Sequence, residues 1–401
     1  MLNSVFAPHG MVVAPHHLAA ETGLSVLREG GNAIEAMIAA AATIAVVYPH
    51  MNSIGGDGFW LISPANGDPV AIDACGGAGA GATIERYTEG GLDTVPSRGP
   101  LAALTVAGAV SGWQEALKYS ERAWGGKFSL ARLLEDAIYL AEDGVAATHT
   151  LAENLKTKLP ELEIVPGFKG SFQISGDLLT ESGRFKQPRI SMTLKRLVAN
   201  GLDDFYRGDL ARDIAADLDQ IGCPLSLEDL ERHSALRVKP LALGLAGHEI
   251  FNMPPPTQGL ASLILLGVFE RLGVAQAETA EFVHGLVEST KRAFRIRDRY
   301  ITDPEYMDVD VNSFLIPDKL GELADDIDMR RALPWPEAGS NGDTVWLGAV
   351  DKEGRAVSFI QSIYWEFGSG VVLQDTGILW QNRGTSFSLE PSHYNQLKPF
   401  R

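Results

Sequence analysis

The stretch Thr344-Val345-Trp346-Leu347-Gly348-Ala349-Val350-Asp351 decides how this chain of 401 residues is interpreted. Its β-branched and aromatic residues predict a strand, and the turn at 352–355 returns the chain as a second strand over 356–360. The residues before it, 332–343, shift abruptly to Pro, Gly, Ser, Asn and Asp, which is typical of a surface linker. A threonine therefore stands at the junction between a polar linker and a predicted strand.

Thr344 at such a junction can become a nucleophile if the chain is cut before it. Cleavage of the Asp343-Thr344 bond would place a free α-amino group beside the hydroxyl of the same threonine. An α-amino group titrates at about pH 8, so an appreciable unprotonated fraction can accept the hydroxyl proton at neutral pH. One residue would then supply both nucleophile and base. On its position alone, however, a threonine that opens an edge strand is more often an ordinary strand residue.

The chain before this hairpin begins with a helix and a pair of strands. The alanine-rich run 36–47 predicts a buried helix, because it is too short to cross a bilayer. Asn32 and Glu35 have the spacing of a helix-capping pair just before it. A glycine turn then leads into a predicted strand at 59–63, and a second strand at 69–73 is its expected hairpin partner.

The middle of the chain adds further layers of helix and sheet. Residues 113–232 are predicted to be mainly helical, 240–250 return to strand character, and 280–300 have the pattern of a long amphipathic helix. This alternation predicts a mixed α+β fold. The length suggests one large domain or two that share a sheet.

Charge and cysteine content limit the partners and the compartment. Fifty-one acidic residues against 34 basic ones give a net charge of -17, which repels a phosphate backbone, so we expect no nucleic-acid partner. No apolar run is long enough to predict a membrane partner. Cys75 and Cys223 lack the paired spacing of disulfide or zinc sites, and residues 1–13 lack the pattern of a secretory signal. A cytoplasmic location is the prediction.

Each candidate motif for a cofactor or a metal lacks a residue or a structural context that the site requires. The glycine-alanine run 77–82 lacks the strand and helix that a dinucleotide fingerprint needs around it. The acidic run 308–312 imitates a calcium loop, but Lys319 occupies the position of the bidentate glutamate. His16 and His17 are adjacent, and neighbouring side chains do not converge on one ion. The sequence therefore predicts no cofactor and no metal.

Short motifs along the chain carry a resemblance to a known family. They are Leu27-Arg28-Glu29-Gly30-Gly31-Asn32-Ala33, Pro49-His50-Met51 with Ile54-Gly55-Gly56-Asp57-Gly58-Phe59, Phe205-Tyr206-Arg207-Gly208, Met253-Pro254-Pro255-Pro256 and Tyr300-Ile301-Thr302-Asp303-Pro304. In their order and spacing the sequence resembles the γ-glutamyltransferase superfamily of N-terminal nucleophile hydrolases, and the likeness runs over nearly the whole chain. In that family the precursor cuts itself before a threonine that opens a strand. The resemblance therefore implies that Asp343-Thr344 is the cleavage site and Thr344 the catalytic nucleophile.

The resemblance also implies a fold and a division of the chain. The expected fold is a four-layer αββα sandwich of the N-terminal nucleophile hydrolase type. Residues 1–343 would form the large segment of the precursor and 344–401 the start of the small segment, the two pairing as one structural unit. Family members continue beyond the position of Arg401 with the glycines of the oxyanion hole, so the small segment is expected to be incomplete here. The resemblance allows a dimer of such heterodimers.

The same resemblance implies a supporting role for a second hydroxyl. Ser362 stands where the family usually has a threonine whose hydroxyl bonds the nucleophile. We therefore expect Ser362 to support Thr344 in catalysis. The alternative is a core hydroxyl that is satisfied by the backbone.

Positions that bind the donor substrate in the family differ in this sequence. Cys75 stands in place of an arginine that grips a carboxylate, and Ser386 in place of an aspartate that holds an amine. Tyr364 replaces an asparagine and Arg383 a glutamine. A site changed in this way should prefer a small anion without an amino group. We expect Arg383, Tyr364 and Ser386 to bind substrate, with Arg383 on its carboxylate, although a structural ion pair is the alternative for Arg383.

The activity that the resemblance implies is hydrolysis of a small amide-bearing carboxylate. The stretches 362–370 and 380–384 resemble the branch of the superfamily that cleaves oxamate to oxalate and ammonia, a step of purine catabolism. The mechanism would pass through an ester on Thr344. The alternatives are a γ-glutamyl hydrolase or transferase, a glutaryl-type acylase, and an uncleaved, non-catalytic binding protein on the same scaffold.

Overall fold

The structure is a computed structural model that describes residues 4–174, 176–335 and 344–401. The described chain divides into two compact units. Unit 1 lies within Met1–Asp68, Ile72–Arg237 and Asn341–Arg401, and unit 2 within Pro69–Ala71 and Val238–Ser340. Among the described residues, no helix is long and apolar enough to span a membrane.

The secondary structure mixes helices with short strands. The strands are β1 (Gly10–Val13), β2 (Asp57–Ser63), β3 (Val70–Ala74), β4 (Val145–Ala146), β5 (Gln173–Ile174), β6 (Asp177–Leu178), β7 (Arg184–Phe185), β8 (Leu236–Val238), β9 (Leu241–Leu245), β10 (His248–Asn252), β11 (Val345–Asp351) and β12 (Ala356–Ser362). The helices are α1 (His17–Arg28), α2 (Ala33–Val47), α3 (Ile84–Glu89), α4 (Ala109–Tyr119), α5 (Leu130–Asp143), α6 (His149–Leu162), α7 (Phe168–Phe172), α8 (Pro188–Asn200), α9 (Asp204–Arg207), α10 (Asp209–Gln220), α11 (Leu227–Arg232), α12 (Gly259–Arg271), α13 (Ala280–Tyr300) and α14 (Pro317–Asp325).

The largest sheet of the described residues combines strands from before and after Thr344. Its order is β1-β11-β12-β2-β3-β8, and β11 is antiparallel to both β1 and β12. The predicted hairpin of β11 and β12 is confirmed, with Val345 opposite Gln361. The strands predicted at 59–63 and 69–73 are also neighbours in this sheet, as β2 and β3.

Helix α2 forms the centre of the core behind this sheet. All of its residues are buried, and it packs on β11 and β12. The predicted capping pair is present, because Asn32 Oδ1 accepts the amide of Glu35 at 3.1 Å and Glu35 Oε2 accepts the amide of Asn32 at 2.9 Å. This box begins the helix at Ala33, as the capping pair predicts, three residues before the apolar run itself starts.

The other face of β11 has a different environment. Val345, Leu347 and Ala349 are buried, whereas Trp346 is 50% exposed and Val350 43% exposed. Alternate side chains of a strand point to opposite faces, so the face opposite α2 is open. In an αββα sandwich that face lies against a second sheet. The other sheets of the described residues are two-stranded, so a second large sheet is absent from this part of the chain.

Unit 2 has a core of its own. Strands β9 and β10 form an antiparallel pair, and α12 packs against β9, α13 and α14. Buried aliphatic residues of these helices, including Leu263, Ile264 and Leu320, make up its centre. Helix α13 has the bounds predicted for the amphipathic helix at 280–300.

Asp351 links β11 to the start of α2. Its Oδ2 accepts the amide of Ala33 at 3.1 Å and Arg355 Nε at 2.7 Å, and its Oδ1 accepts the amides of Glu353 and Arg355. The carboxylate is almost fully buried, at 1% exposed, and it lies at a helix N-terminus, where negative charge is favoured. The Asp351 side chain therefore ties the hairpin that follows Thr344 to the start of the central helix.

We expect Asp351→Ala to lower the free energy of unfolding by about 3 kcal/mol, because three backbone amides and Arg355 Nε lose their acceptor. Urea denaturation with an unchanged m-value measures this loss. The control is Glu353→Ala, which removes the partly exposed partner of the same Arg355 and should cost less than about 1 kcal/mol. Equal losses in the two variants would contradict this role of Asp351.

Candidate active site

Thr344 lies directly before β11, with its side chain exposed. Its Oγ1 is 2.8 Å from Ser362 Oγ, at the end of the adjacent strand β12. The antiparallel pairing of β11 and β12 brings these two hydroxyls together, although 18 positions separate them in sequence. The structure thus joins the two residues that the sequence assigned to catalysis.

Ser362 has a second contact that fixes its hydroxyl. Ser362 is 3% exposed, and its Oγ accepts the backbone amide of Tyr364 at 2.9 Å. A serine hydroxyl has one donor and two acceptor positions, so Ser362 can still donate to Thr344 Oγ1. That donation would orient Thr344 Oγ1 and stabilise negative charge on it. The predicted cleavage partner, Asp343, lies outside the described residues, and cleavage before Thr344 stays a prediction.

The glycines before β2 allow the chain to approach Ser362 closely. A Cβ on Gly56 would lie 2.1 Å from the carbonyl oxygen of Ser362, and one on Gly55 would lie 2.3 Å from the carbonyl oxygen of Leu379. Both distances are far below any real contact, so only glycine fits at these positions. The close approach of the backbone therefore explains why glycines stand at positions 55 and 56 of the motif at 54–59.

Tyr364 begins a tight loop after β12. Its φ is +80°, in the left-handed region that a non-glycine residue rarely adopts. Side chains from distant segments hold the loop: Asn382 Oδ1 accepts the amide of Trp365 at 3.1 Å, and Arg98 Nη1 donates to the carbonyls of Glu366 and Gly368. Strained backbone that is held in this way is common at functional sites.

Arg383 pairs with a carboxylate inside this region. Its Nε donates to Oδ2 of Asp57, the first residue of β2, which is fully buried. The arginine side chain itself is 20% exposed. Its guanidinium carbon lies 5.3 Å from the ring centre of Phe59 and 5.6 Å from that of Tyr364. Both distances are within the range of cation–π attraction.

The pKa values of this pair follow from burial and mutual charge. Burial lowers the pKa of Arg383, but Cys75 and Asp57 act in the opposite direction and outweigh it, so the pKa of Arg383 lies above its ordinary value. Burial raises the pKa of Asp57, and Arg383 opposes that rise. Arg383 is therefore a permanent cation beside a carboxyl that needs it as a partner.

The remaining predicted substrate residue, Ser386, lies at the end of a 3-10 helix that begins at Arg383. Its side chain is exposed, and its carbonyl accepts Asn395 Nδ2 at 2.7 Å. The structure thus links Thr344, Ser362, Tyr364 and Arg383 by direct contacts, with Ser386 three positions beyond Arg383. The roles of Arg383, Tyr364 and Ser386 in substrate binding stay predictions.

Two residues at this site were not singled out from the sequence. Asp57 is a charged residue at the start of a strand between glycines, and that unusual placement was the available signal. Arg98 had no local signal, because its loop and helix partners lie 63 to 270 positions away. Within the described residues, no cluster of three or more His, Cys, Asp or Glu side chains could hold a metal ion.

Known proteins resemble this chain over nearly its whole length. The profile of the family described as gamma-glutamyltranspeptidase matches residues 19–401. An oxamate amidohydrolase proenzyme from Klebsiella pneumoniae subsp. pneumoniae is 54% identical over 399 residues, covering 100% of this chain and 75% of the relative. A glutathione hydrolase-like YwrD proenzyme from Bacillus subtilis is 35% identical over 402 residues, covering 100% of this chain and 75% of the relative.

A solved structure shares the fold as well. The crystal structure of a cephalosporin acylase from Bacillus halodurans superimposes with a TM-score of 0.92 at 34% identity, covering 100% of this chain and 74% of that chain. The predicted α+β class of N-terminal nucleophile hydrolases is therefore confirmed.

Proposed function

The chain belongs to the gamma-glutamyltranspeptidase family, and we propose that it cuts itself before Thr344 and then hydrolyses oxamate to oxalate and ammonia. It is a hydrolase of carbon–nitrogen bonds of the N-terminal nucleophile type. The observation that carries the proposal is the hydroxyl pair of Thr344 and Ser362, 2.8 Å apart. The identity of 54% to an oxamate amidohydrolase proenzyme supports the choice of substrate.

The chemistry would be acyl transfer through Thr344. Its Oγ1 attacks the amide carbon of the substrate, and its freed α-amine takes the hydroxyl proton and passes it to the departing nitrogen, which leaves as ammonia. Water then attacks the resulting oxalyl ester, the amine accepts a proton from that water, and Thr344 Oγ1 recovers it as oxalate leaves. Each cycle consumes one oxamate and one water.

Arg383 is the proposed anchor for the substrate carboxylate. A guanidinium binds a carboxylate through two parallel hydrogen bonds, and Arg383 is a permanent cation within about 6 Å of two aromatic ring centres. Tyr364 would form one wall of this site, and Ser386 would lie near its rim. The thiol of Cys75 adds no positive charge, so the site offers one anchor for one carboxylate.

Ser362 should act on the chemical step. We expect Ser362→Ala to lower kcat for oxamate about 10- to 100-fold with little change in KM, because the donor to Thr344 Oγ1 is lost. Ser362→Thr, which keeps a hydroxyl, should recover most of kcat. The control is Ser111→Ala, which removes another buried hydroxyl, bonded to the amide of Ala235, outside this site. An unchanged kcat in Ser362→Ala would leave Ser362 as a structural residue only.

The experiment that tests the proposed function supplies competing substrates to the purified full-length protein. Ammonia and oxalate released in equal amounts from oxamate would support the proposal. Release of the chromophore from a γ-glutamyl anilide, without ammonia from oxamate, would overturn it in favour of a γ-glutamyl hydrolase. That second candidate is favoured by the identity of 35% to a glutathione hydrolase-like protein.

We also propose that the two cleaved segments stay together and that the protein is cytoplasmic. The segments before and after Thr344 would remain paired after cleavage, since β1 and β2 flank the hairpin of β11 and β12. Two such heterodimers could associate further. Cys75 and Cys223 form no disulfide, which fits the proposed cytoplasmic setting.

A further inference from the structure

Asp57 is a fully buried charged group on β2, directly opposite Ser362 on β12. Its side chain has no exposed area. Oδ1 accepts the amide of Gly76 at 3.2 Å, and Oδ2 accepts Arg383 Nε and lies 3.9 Å from Cys75 Sγ. A buried carboxylate is costly unless it is paired and hydrogen-bonded, and Asp57 meets that requirement through Arg383 and the amide of Gly76.

We infer that Asp57 is a positioning residue that sets the guanidinium of Arg383 for a carboxylate bonded directly to the scissile amide carbon. Asp57 occupies Nε of Arg383, which leaves the two Nη groups as the pair available for a substrate carboxylate. The rings of Phe59 and Tyr364 lie within cation–π range of the same guanidinium, at 5.3 and 5.6 Å from its carbon. This inference rests on the proposed function, because it defines the substrate class of the same site.

The register of the strands shows where Asp57, the partner of Arg383, lies relative to Ser362 and Thr344. Asp57 and Ser362 are directly opposite partners in the antiparallel pair of β2 and β12, so their side chains lie on one face about 5 Å apart at Cβ. Ser362 in turn contacts Thr344. Asp57, which holds the guanidinium through Nε, therefore lies two strands from Thr344 in the order β11-β12-β2, with Ser362 on the strand between them. We expect an anchor held on the strand next to that of Ser362 to favour a substrate whose carboxylate is bonded to the amide carbon over one whose carboxylate lies several carbons away.

Removing the charge of Asp57 should change anion binding in opposite directions, depending on whether Asp57 positions Arg383 or acts only through its charge. Asp57 is negative, so removing its charge while keeping its shape would make the site more positive and should strengthen the binding of an anion. If Asp57 positions Arg383, the same change should weaken anion binding, because asparagine has one acceptor oxygen in place of two and cannot hold both Arg383 Nε and the amide of Gly76. The two roles therefore predict opposite shifts.

The test is Asp57→Asn in the full-length protein. We expect KM for oxamate and the dissociation constant for oxalate, measured by calorimetry, to rise about 10- to 100-fold while self-cleavage is retained. The matched control is Glu115→Gln, which changes the acceptor of another arginine Nε, that of Arg237 at 2.6 Å, and should leave both constants unchanged. Tighter or unchanged oxalate binding in Asp57→Asn would overturn the inference.

A second variant covers the case in which Asp57→Asn does not fold. In Arg383→Ala, with Asp57 in place, added guanidinium ion should occupy the vacated site and restore oxalate binding in a saturable way. The double variant Arg383→Ala/Asp57→Ser should lose this rescue. No rescue in the single variant, or equal rescue in both, would overturn the role of Asp57.

These outcomes are distinct from failure of the proposed function. Wild-type protein that binds oxalate but releases no ammonia from oxamate would contradict the proposed reaction and leave the positioning role to be decided by the binding constants. Wild-type protein that hydrolyses oxamate, with Asp57→Asn unaffected in KM, would contradict the positioning role alone.

Discussion

Thr344→Ala is expected to abolish both self-cleavage and amide hydrolysis, because one side chain supplies the nucleophile for both reactions. Loss of a catalytic nucleophile lowers kcat by about 10⁴-fold or more, so no turnover of oxamate should be measurable. Folding should be unaffected, since the Thr344 side chain is exposed. Ammonia release, with the melting temperature as the check on folding, is the measurement.

Thr344→Ser is the matched control for this loss. It keeps a hydroxyl on the same carbon and should retain both cleavage and part of the activity. A trapped ester on residue 344, seen as a mass increase after rapid acid quench with oxamate, would identify the nucleophile directly. Turnover by Thr344→Ala at more than a small fraction of the wild-type rate would contradict the assignment.

Arg383→Ala is expected to raise KM for oxamate by about 100-fold or more, with a smaller effect on kcat. The variant loses the bidentate anchor and also leaves Asp57 buried without its cation, and breaking a buried ion pair costs about 3–5 kcal/mol. Arg383→Lys should fall between the wild type and Ala, because lysine keeps the charge but not the fork of donors. Steady-state kinetics of the three proteins measure this order.

The control for Arg383 is Arg237→Ala, which breaks a partly exposed pair with Glu115 outside the site. It should leave KM unchanged. If Arg383→Ala lowers the melting temperature but leaves KM for oxamate at the wild-type value, Arg383 is a structural ion pair with Asp57 and not a substrate anchor. That was the alternative left open by the sequence.

Local sequence patterns predicted the elements that build the site. The β11–β12 hairpin follows from alternation and turn residues, the start of α2 from the Asn32–Glu35 capping box, and α13 from helical periodicity. These signals lie within a few residues of one another, where spacing determines geometry. The assignment of Thr344 needed the family resemblance in addition, because an exposed threonine before a strand has no distinctive pattern.

Other features depend on contacts that local patterns do not encode. Asp57 and Arg383 are 326 positions apart, and Arg98 reaches a loop 268 positions away. Neither pairing can be read from spacing, because it depends on the order of strands in the sheet and on the path of the loop after β12. The sequence predicted Arg383 as a site residue from its resemblance, but its partner Asp57 emerged only from the structure.

The most direct test of the account is the intact mass and N-terminal sequence of the purified full-length protein after incubation at neutral pH. We predict two chains, one of which begins at Thr344, and a single uncut chain in Thr344→Ala treated in the same way. A wild-type protein that remains one chain and still releases ammonia from oxamate would contradict the N-terminal nucleophile mechanism. One that remains uncut and inactive would favour a non-catalytic binding protein on this scaffold.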